Sequence, residues 1–254
     1  MIEDKRFAKT LQRIREKSPL VHNITNYVVM NNTANALLAV GASPVMAHAL
    51  EEVKEITSIS SSVVINMGTL SPKWVEAMEM AMKAAHELGK PIVFDPVGAG
   101  ASPYRTETAQ RIIDTYRPSV IRGNASEIMV LAKNSHRTKG VDSTLDSEDG
   151  IIAAQGLSKR LNNTTVVSGA VDYIITHDLI DQVTSGSPLM AKVTGMGCTA
   201  TSIIGSCIAV EPNSHQAAFN GMEIMGQAGT MTEKKSDGPG SFQVNFIDAL
   251  HQLQ

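Results

Sequence analysis

Cysteine is scarce: Cys198 and Cys207 are the only two in the chain, too few for the disulfide framework of a small secreted fold. On one helix their spacing would turn them about 180° apart at about 100° per residue. Unpaired thiols suit a reducing compartment, so a cytoplasmic location is expected. An excess of charge is lacking too. A net charge of −3 gives no basic stripe for nucleic acid, and the short basic stretch Lys133 to Lys139, flanked by acids, reads as a solvated loop. No apolar run approaches the roughly 20 residues of a membrane helix. Met1 to Lys17 carry charge throughout and no apolar signal core. Without repeats, low-complexity tracts or linkers, one domain over residues 1–254 is the economical expectation.

What is present is the balance of a globular protein, with 43% hydrophobic and 19% charged residues. Short apolar runs alternate with helical patterns, and Gly, Pro, Asn or Asp stands at each junction. Strands are expected at Ser62 to Ile65, Ile92 to Phe94, Ser119 to Ile121 and Thr165 to Val167. A helix should open at Ser71-Pro72 and close at Gly89. Others should run from Asn124 through Ala132, from Ile151 to Leu161 and from Ala200 to Val210. Tyr173 to Thr176 and Leu179 to Val183, joined by His177-Asp178, read as an antiparallel hairpin. Unbroken apolar strands separated by helices imply an α/β fold, a mostly parallel sheet covered on both faces. Ligands in such sheets sit beyond the carboxyl ends of the strands. Here those ends are Asn66-Met-Gly68, Asp95-Pro-Val-Gly98, Arg122-Gly-Asn124 and Ser168-Gly169, so chemistry is expected along that rim.

Lys192-Val-Thr-Gly-Met-Gly-Cys-Thr-Ala-Thr201 places two glycines before a helix. Their amides could face a phosphate at the helix start, or the turn could merely cap a packed helix. No Gly-Lys-Ser/Thr follows, so it is not a Walker A loop. In Asp95-Pro-Val-Gly-Ala-Gly-Ala-Ser102, Gly98 and Gly100 have the spacing of a dinucleotide fingerprint, but Pro103 stands at the third position. Glu127 is either the acid of a capping box opened by Asn124 or a neighbour of a magnesium–phosphate centre. Asp95, at a strand end, is the better magnesium candidate. Arg122 is a surface ion-pair partner or a phosphate clamp, and Ser168 caps a turn or donates to a nucleotide. The helix carrying Asn31, Asn32, Thr33 and Asn35 is unusually rich in amides; it is exposed, or it lines a polar pocket or a subunit contact. Met46 is a gap-filling core residue or a substrate wall.

Taken in order, Pro19-Leu-Val-His-Asn-Ile-Thr-Asn26, Gly41-Ala-Ser-Pro-Val-Met46, Asn66-Met-Gly-Thr-Leu70, Asp95-Pro-Val-Gly-Ala-Gly100, Ile121-Arg-Gly-Asn-Ala-Ser-Glu127, Thr194-Gly-Met-Gly-Cys198 and Asp237-Gly-Pro-Gly-Ser-Phe242 resemble hydroxyethylthiazole kinase of thiamine salvage. The resemblance implies a ribokinase-like fold, ATP with Mg²⁺, and a homotrimer with active sites between subunits. It implies thiazole contacts at Met46, Gly195 and Asn26, the last from the segment His22 to Asn26, and ATP contacts at Arg122 and Ser168. Asp95 and Glu127 would serve the magnesium. Gly195, Met196, Gly197 and Cys198 would form an anion hole, with Cys198 as catalytic residue beside the acceptor hydroxyl.

The wider superfamily that this family resembles ends its glycine motif in Asp, and Cys198 stands there instead. A free thiol titrates near about 8.5, so only a few per cent is thiolate at neutrality. A helix start favours the thiolate, whereas bound phosphate opposes it. Three rivals remain at this level: a kinase of a hydroxymethylpyrimidine or pyridoxal-type alcohol, a lyase of the same fold, and a binding module without turnover.

Overall fold

The computed structural model describes residues 6–133 and 147–254. Apart from Lys133, the basic stretch read as a loop therefore falls outside the described residues. The elements follow as α1 (Arg6–Lys17), β1 (Leu20–Ile24), α2 (Met30–Val40), β2 (Ser43–Val45), α3 (Val53–Ile59), β3 (Ser62–Asn66), α4 (Pro72–Glu87) and β4 (Ile92–Asp95). Next come α5 (Pro103–Tyr116), β5 (Val120–Asn124), α6 (Ala125–Lys133), α7 (Ser147–Leu161), β6 (Thr164–Ser168), β7 (Asp172–Thr176) and β8 (Leu179–Val183). The chain closes with α8 (Met196–Ile208), α9 (Ser214–Glu233) and α10 (Pro239–Gln252).

The described strands join in one sheet, in the order β2-β1-β3-β4-β5-β6-β7-β8. Pairings from β2 through β6 are parallel, and the hairpin β7–β8 adds two antiparallel strands at one edge. Its turn puts His177 at φ 55. The pleat sends alternate residues to opposite faces. Val64, Val93, Val120, Val166 and Ile174 therefore pack with α1, α2, α8, α9 and α10. Val63, Ile65, Phe94, Ile121, Val167 and Ile175 pack with α4, α5, α6 and α7. Each fully buried large side chain contributes about 1.5–3 kcal/mol of transfer free energy, so two filled faces fix the register of the whole rim.

Local signals act where they were expected. Ser71 caps α4 by accepting from the Trp74 amide, and Pro72 occupies the first turn. The rim end of β5 is longer than foreseen, for Arg122, Gly123 and Asn124 are strand residues paired with Val166, Val167 and Ser168. The helix expected from Ala200 begins four positions earlier, at Met196. The amides of α2 find partners within the chain: Asn32 donates to Thr199 Oγ1 at 2.9 Å and Asn35 to Asn31 at 3.1 Å. Its polar character thus needs no second subunit. Among the described residues no helix is long and apolar enough to cross a membrane.

Candidate active site

Register brings the first pair of rim residues together. Asn66 and Asp95 are opposite each other at the ends of β3 and β4, and Asn66 Nδ2 donates to Asp95 Oδ2 at 2.9 Å. Thr201, in the second turn of α8, donates to the same oxygen at 2.8 Å. Arg122 Nη1 stands 4.0 Å from it. Asp95 is buried, its other oxygen has no protein partner, and burial pushes its carboxyl up to about 6 although Arg122 opposes the shift. A buried carboxylate without full pairing is costly. The free Oδ1 is an acceptor suited to a cation.

Glu127 lies in the first turn of α6 and its two oxygens accept from two segments. Oε2 takes the Asn124 amide at 2.9 Å while Asn124 Oδ1 takes the Glu127 amide at 2.9 Å, which completes the reciprocal capping box. Oε1 takes the Gly98 amide at 2.8 Å. The cap is therefore real, and it also ties the loop after β4 to the start of α6. Glu127 remains close enough to raise the Asp95 carboxyl. Among the described residues no group of three or more His, Cys, Asp or Glu is placed to hold a metal alone. Two carboxylates that leave the remaining positions to phosphate and water are the donor set that Mg²⁺ tolerates.

The glycine segment is the cap and first turn of α8 rather than a loop ahead of it. Gly195 adopts φ 84 as N-cap, and a side chain there would meet Val29 at 2.5 Å. At Gly197 a Cβ would meet the Arg122 guanidinium at 2.5 Å. By position the amides of residues 196–198 have no intrahelical acceptor, so they offer donors beside a guanidinium. Cys198 Sγ receives Asn26 Nδ2 at 3.5 Å, and Asn26 also donates to Asn66 Oδ1 at 2.9 Å. Cys198, Asn26, Asn66 and Asp95 thus form one chain of polar contacts. Burial first, and Asp95 second, push the Cys198 thiol up to about 11. Desolvation thus opposes the thiolate that a helix start would favour.

A cavity of about 710 Å³ opens beside this chain, with Arg122, Ser168, Gly195, Met196 and Gly197 in its lining and Met190 and Met225 on its apolar side. Arg122 Nη2 donates to Ser168 Oγ, which donates to the Gly123 carbonyl. Met46 is not in that lining. It follows β2 at the sheet edge, half-buried. His22 is wholly buried. Its Nε2 bonds the Ala47 carbonyl at 2.7 Å and its Nδ1 meets Thr57 Oγ1 at 3.0 Å; burial lowers its pKa. It supports the segment after Met46 from beneath rather than lining the rim.

Asn66 and Thr201 join the site through contacts that the sequence pattern does not announce. Asn66 was visible as a strand end, and Thr201 lies one turn beyond Gly197, but neither spacing announces a shared carboxylate.

A family model described as "HK: Hydroxyethylthiazole kinase family" matches residues 11–254. The hydroxyethylthiazole kinase of Leptospira biflexa serovar Patoc is 54% identical over 243 residues, covering 96% of this chain and 91% of that protein. The one from Nitratidesulfovibrio vulgaris strain Miyazaki F is 51% identical over 245 residues, with 96% and 92% covered. The structure of a hydroxyethylthiazole kinase protein from Pyrococcus horikoshii superposes with a TM-score of 0.91 at 40% identity, covering 98% of this chain and 94% of that one. A ribokinase-like superfamily protein from Enterococcus faecalis gives a TM-score of 0.66 at 15% identity, covering 91% and 86%, a likeness of fold alone. The sheet and its two helical layers are a ribokinase-like α/β fold.

Proposed function

The chain belongs to the hydroxyethylthiazole kinase family, and from that premise we infer that it transfers the γ-phosphoryl of ATP to the hydroxyl of 4-methyl-5-(2-hydroxyethyl)thiazole. The products are the thiazole phosphate and ADP, in a salvage step toward thiamine. One observation carries the reading: the start of α8, with Arg122 against Gly197, faces a nucleotide-sized cavity, and the Asp95 to Cys198 chain lies beside it.

Phosphoryl transfer runs through a loose transition state with charge spread over the equatorial oxygens, so positioning and neutralisation dominate. In this reading Arg122 and Ser168 hold ATP, and the amides of residues 196–198 receive the transferring group. The alcohol oxygen bonds to the γ-phosphorus as the bond to the bridging oxygen breaks. Mg²⁺, held by Asp95 and Glu127 with phosphate oxygens and water, would neutralise charge on the triphosphate. Cys198 takes the hydroxyl proton as a modest base through a small thiolate fraction. Met46, Gly195 and Asn26 contact the thiazole.

We further propose a single catalytic domain that works as a homotrimer in the cytoplasm. Tyr27 and Val28, next to Asn26, are 64% and 69% exposed. That apolar surface beside the rim suits coverage by a neighbouring subunit, and free thiols suit a reducing compartment.

ADP release measured with ATP and Mg²⁺, with and without hydroxyethylthiazole, tests the activity. Strong dependence on the alcohol is expected, with a mass gain of one phosphate on it. Release indifferent to the thiazole but driven by a pyrimidine or pyridoxal-type alcohol would reassign the substrate.

A further inference from the structure

We propose that Arg105 is a positioning residue that sets both rim carboxylates through two peptide planes, a role that rests on the kinase reading above. Arg105 lies in the first turn of α5, where Ser102 accepts its amide. The guanidinium leaves that turn and donates to three carbonyls on two rim loops. Nη1 reaches Met67 O at 2.5 Å and Val97 O at 2.8 Å, and Nη2 reaches Gly68 O at 2.9 Å.

The carbonyls of Met67 and Val97 each belong to a peptide unit whose N–H end also has a task. The Gly68 amide donates to Asn66 Oδ1 at 2.9 Å, and Asn66 in turn donates to Asp95. The Gly98 amide donates to Glu127 Oε1 at 2.8 Å. A peptide is planar, with its carbonyl and N–H pointing in opposite senses. Fixing the carbonyl end with a cation therefore aims the N–H end, and polarises it into a stronger donor. One guanidinium thus orients Glu127 through the Val97–Gly98 unit and Asp95 through the Met67–Gly68 unit and Asn66.

Side-chain chemistry explains why arginine is suited here. A planar fork with a permanent charge can serve three acceptors at once, whereas an ammonium is a point charge that cannot reproduce the spread. Gly98 adopts φ 75, and a Cβ there would meet Arg105 Cδ at 3.2 Å, so the loop is shaped to lie on the arginine stem.

The test compares wild type, Arg105→Ala and Arg105→Lys by steady-state kinetics and by amide spectra of protein labelled with ¹⁵N-glycine. In Arg105→Ala the Gly68 and Gly98 amide protons are expected to move upfield together, with distant glycines unmoved. Turnover should fall about 10–100-fold, the range for partners that orient a site's ligands, with little change in KM for the alcohol. Added guanidinium ion at a non-denaturing concentration should restore both turnover and the two resonances. Arg105→Lys should melt near wild type and still lose turnover. Gly68 and Gly98 resonances that stay in place in a folded Arg105→Ala protein, or wild-type turnover there, would overturn the proposal. A wild-type protein releasing no alcohol-dependent ADP would sink the kinase reading instead, and the glycine spectra would still decide the role of Arg105.

Discussion

Cys198 shows what a single side chain can and cannot contribute. With its thiol near 11, about one molecule in ten thousand is thiolate at pH 7, since each pH unit below the pKa is a factor of ten. A base so rarely ready limits turnover only where proton removal matters. If it does, turnover should climb about tenfold per pH unit from neutrality toward pH 11, because the active form is the deprotonated one. Cys198→Asp should flatten that climb and keep substantial turnover, since a carboxylate is already ionised. Cys198→Ala should lose more turnover than ATP affinity. A pH–rate profile of the three proteins checks this, and wild-type turnover in Cys198→Ala would remove the base role. Cys198, Asp95 and Arg122 stand out in the sequence as candidates because strand ends and a glycine pair mark them. Asn66, Thr201 and Arg105 do not stand out, because their work is to bond segments up to 106 positions away, 29 for Asn66 to Asp95 and 37 for Arg105 to Gly68, and no local pattern encodes such a pairing.

At the scale of elements, α8 is the instructive case. Its start lies earlier than the sequence suggests, because Gly195 and Gly197 read as a turn ahead of the helix. Tertiary contacts decide otherwise, since close approach of Arg122 and Val29 requires glycines there. The sequence pattern does not announce β1 and β2 as strands. β2 has only three residues with Pro44 in the middle, tolerated because β2 lies at the sheet edge. The contact of α8 with α9 is equally tight. A Cβ on Gly221 would meet Ile204 side-chain carbon at 2.7 Å and its Cα at 3.0 Å. Gly221→Ala gains about 1 kcal/mol of helix propensity but overpacks at about 1–3 kcal/mol. Backbone cannot step aside, so overpacking should win. A melting curve should show Tm lowered by about 2–4 °C for each kcal/mol lost. An unchanged or raised Tm would mean that the two helices separate freely.

For the whole molecule, the parallel sheet, its terminal hairpin and the location of the rim were legible, because unbroken apolar strands between helices permit few arrangements. The neighbour order was not, since every buried strand has much the same composition. Light scattering at micromolar concentration should give three times the mass of one chain. A monomer that remains fully active would show the site complete within one subunit. Eleven of the 13 residues of α8 are buried, and the helix rests against β1, β3 and β4 on one side and α1, α2 and α9 on the other. An opening fluctuation of that helix would have to disrupt the core itself, so its exchange with solvent should be as slow as global unfolding. The start of α8 that faces the cavity is thus anchored to a floor that stays still while small molecules come and go.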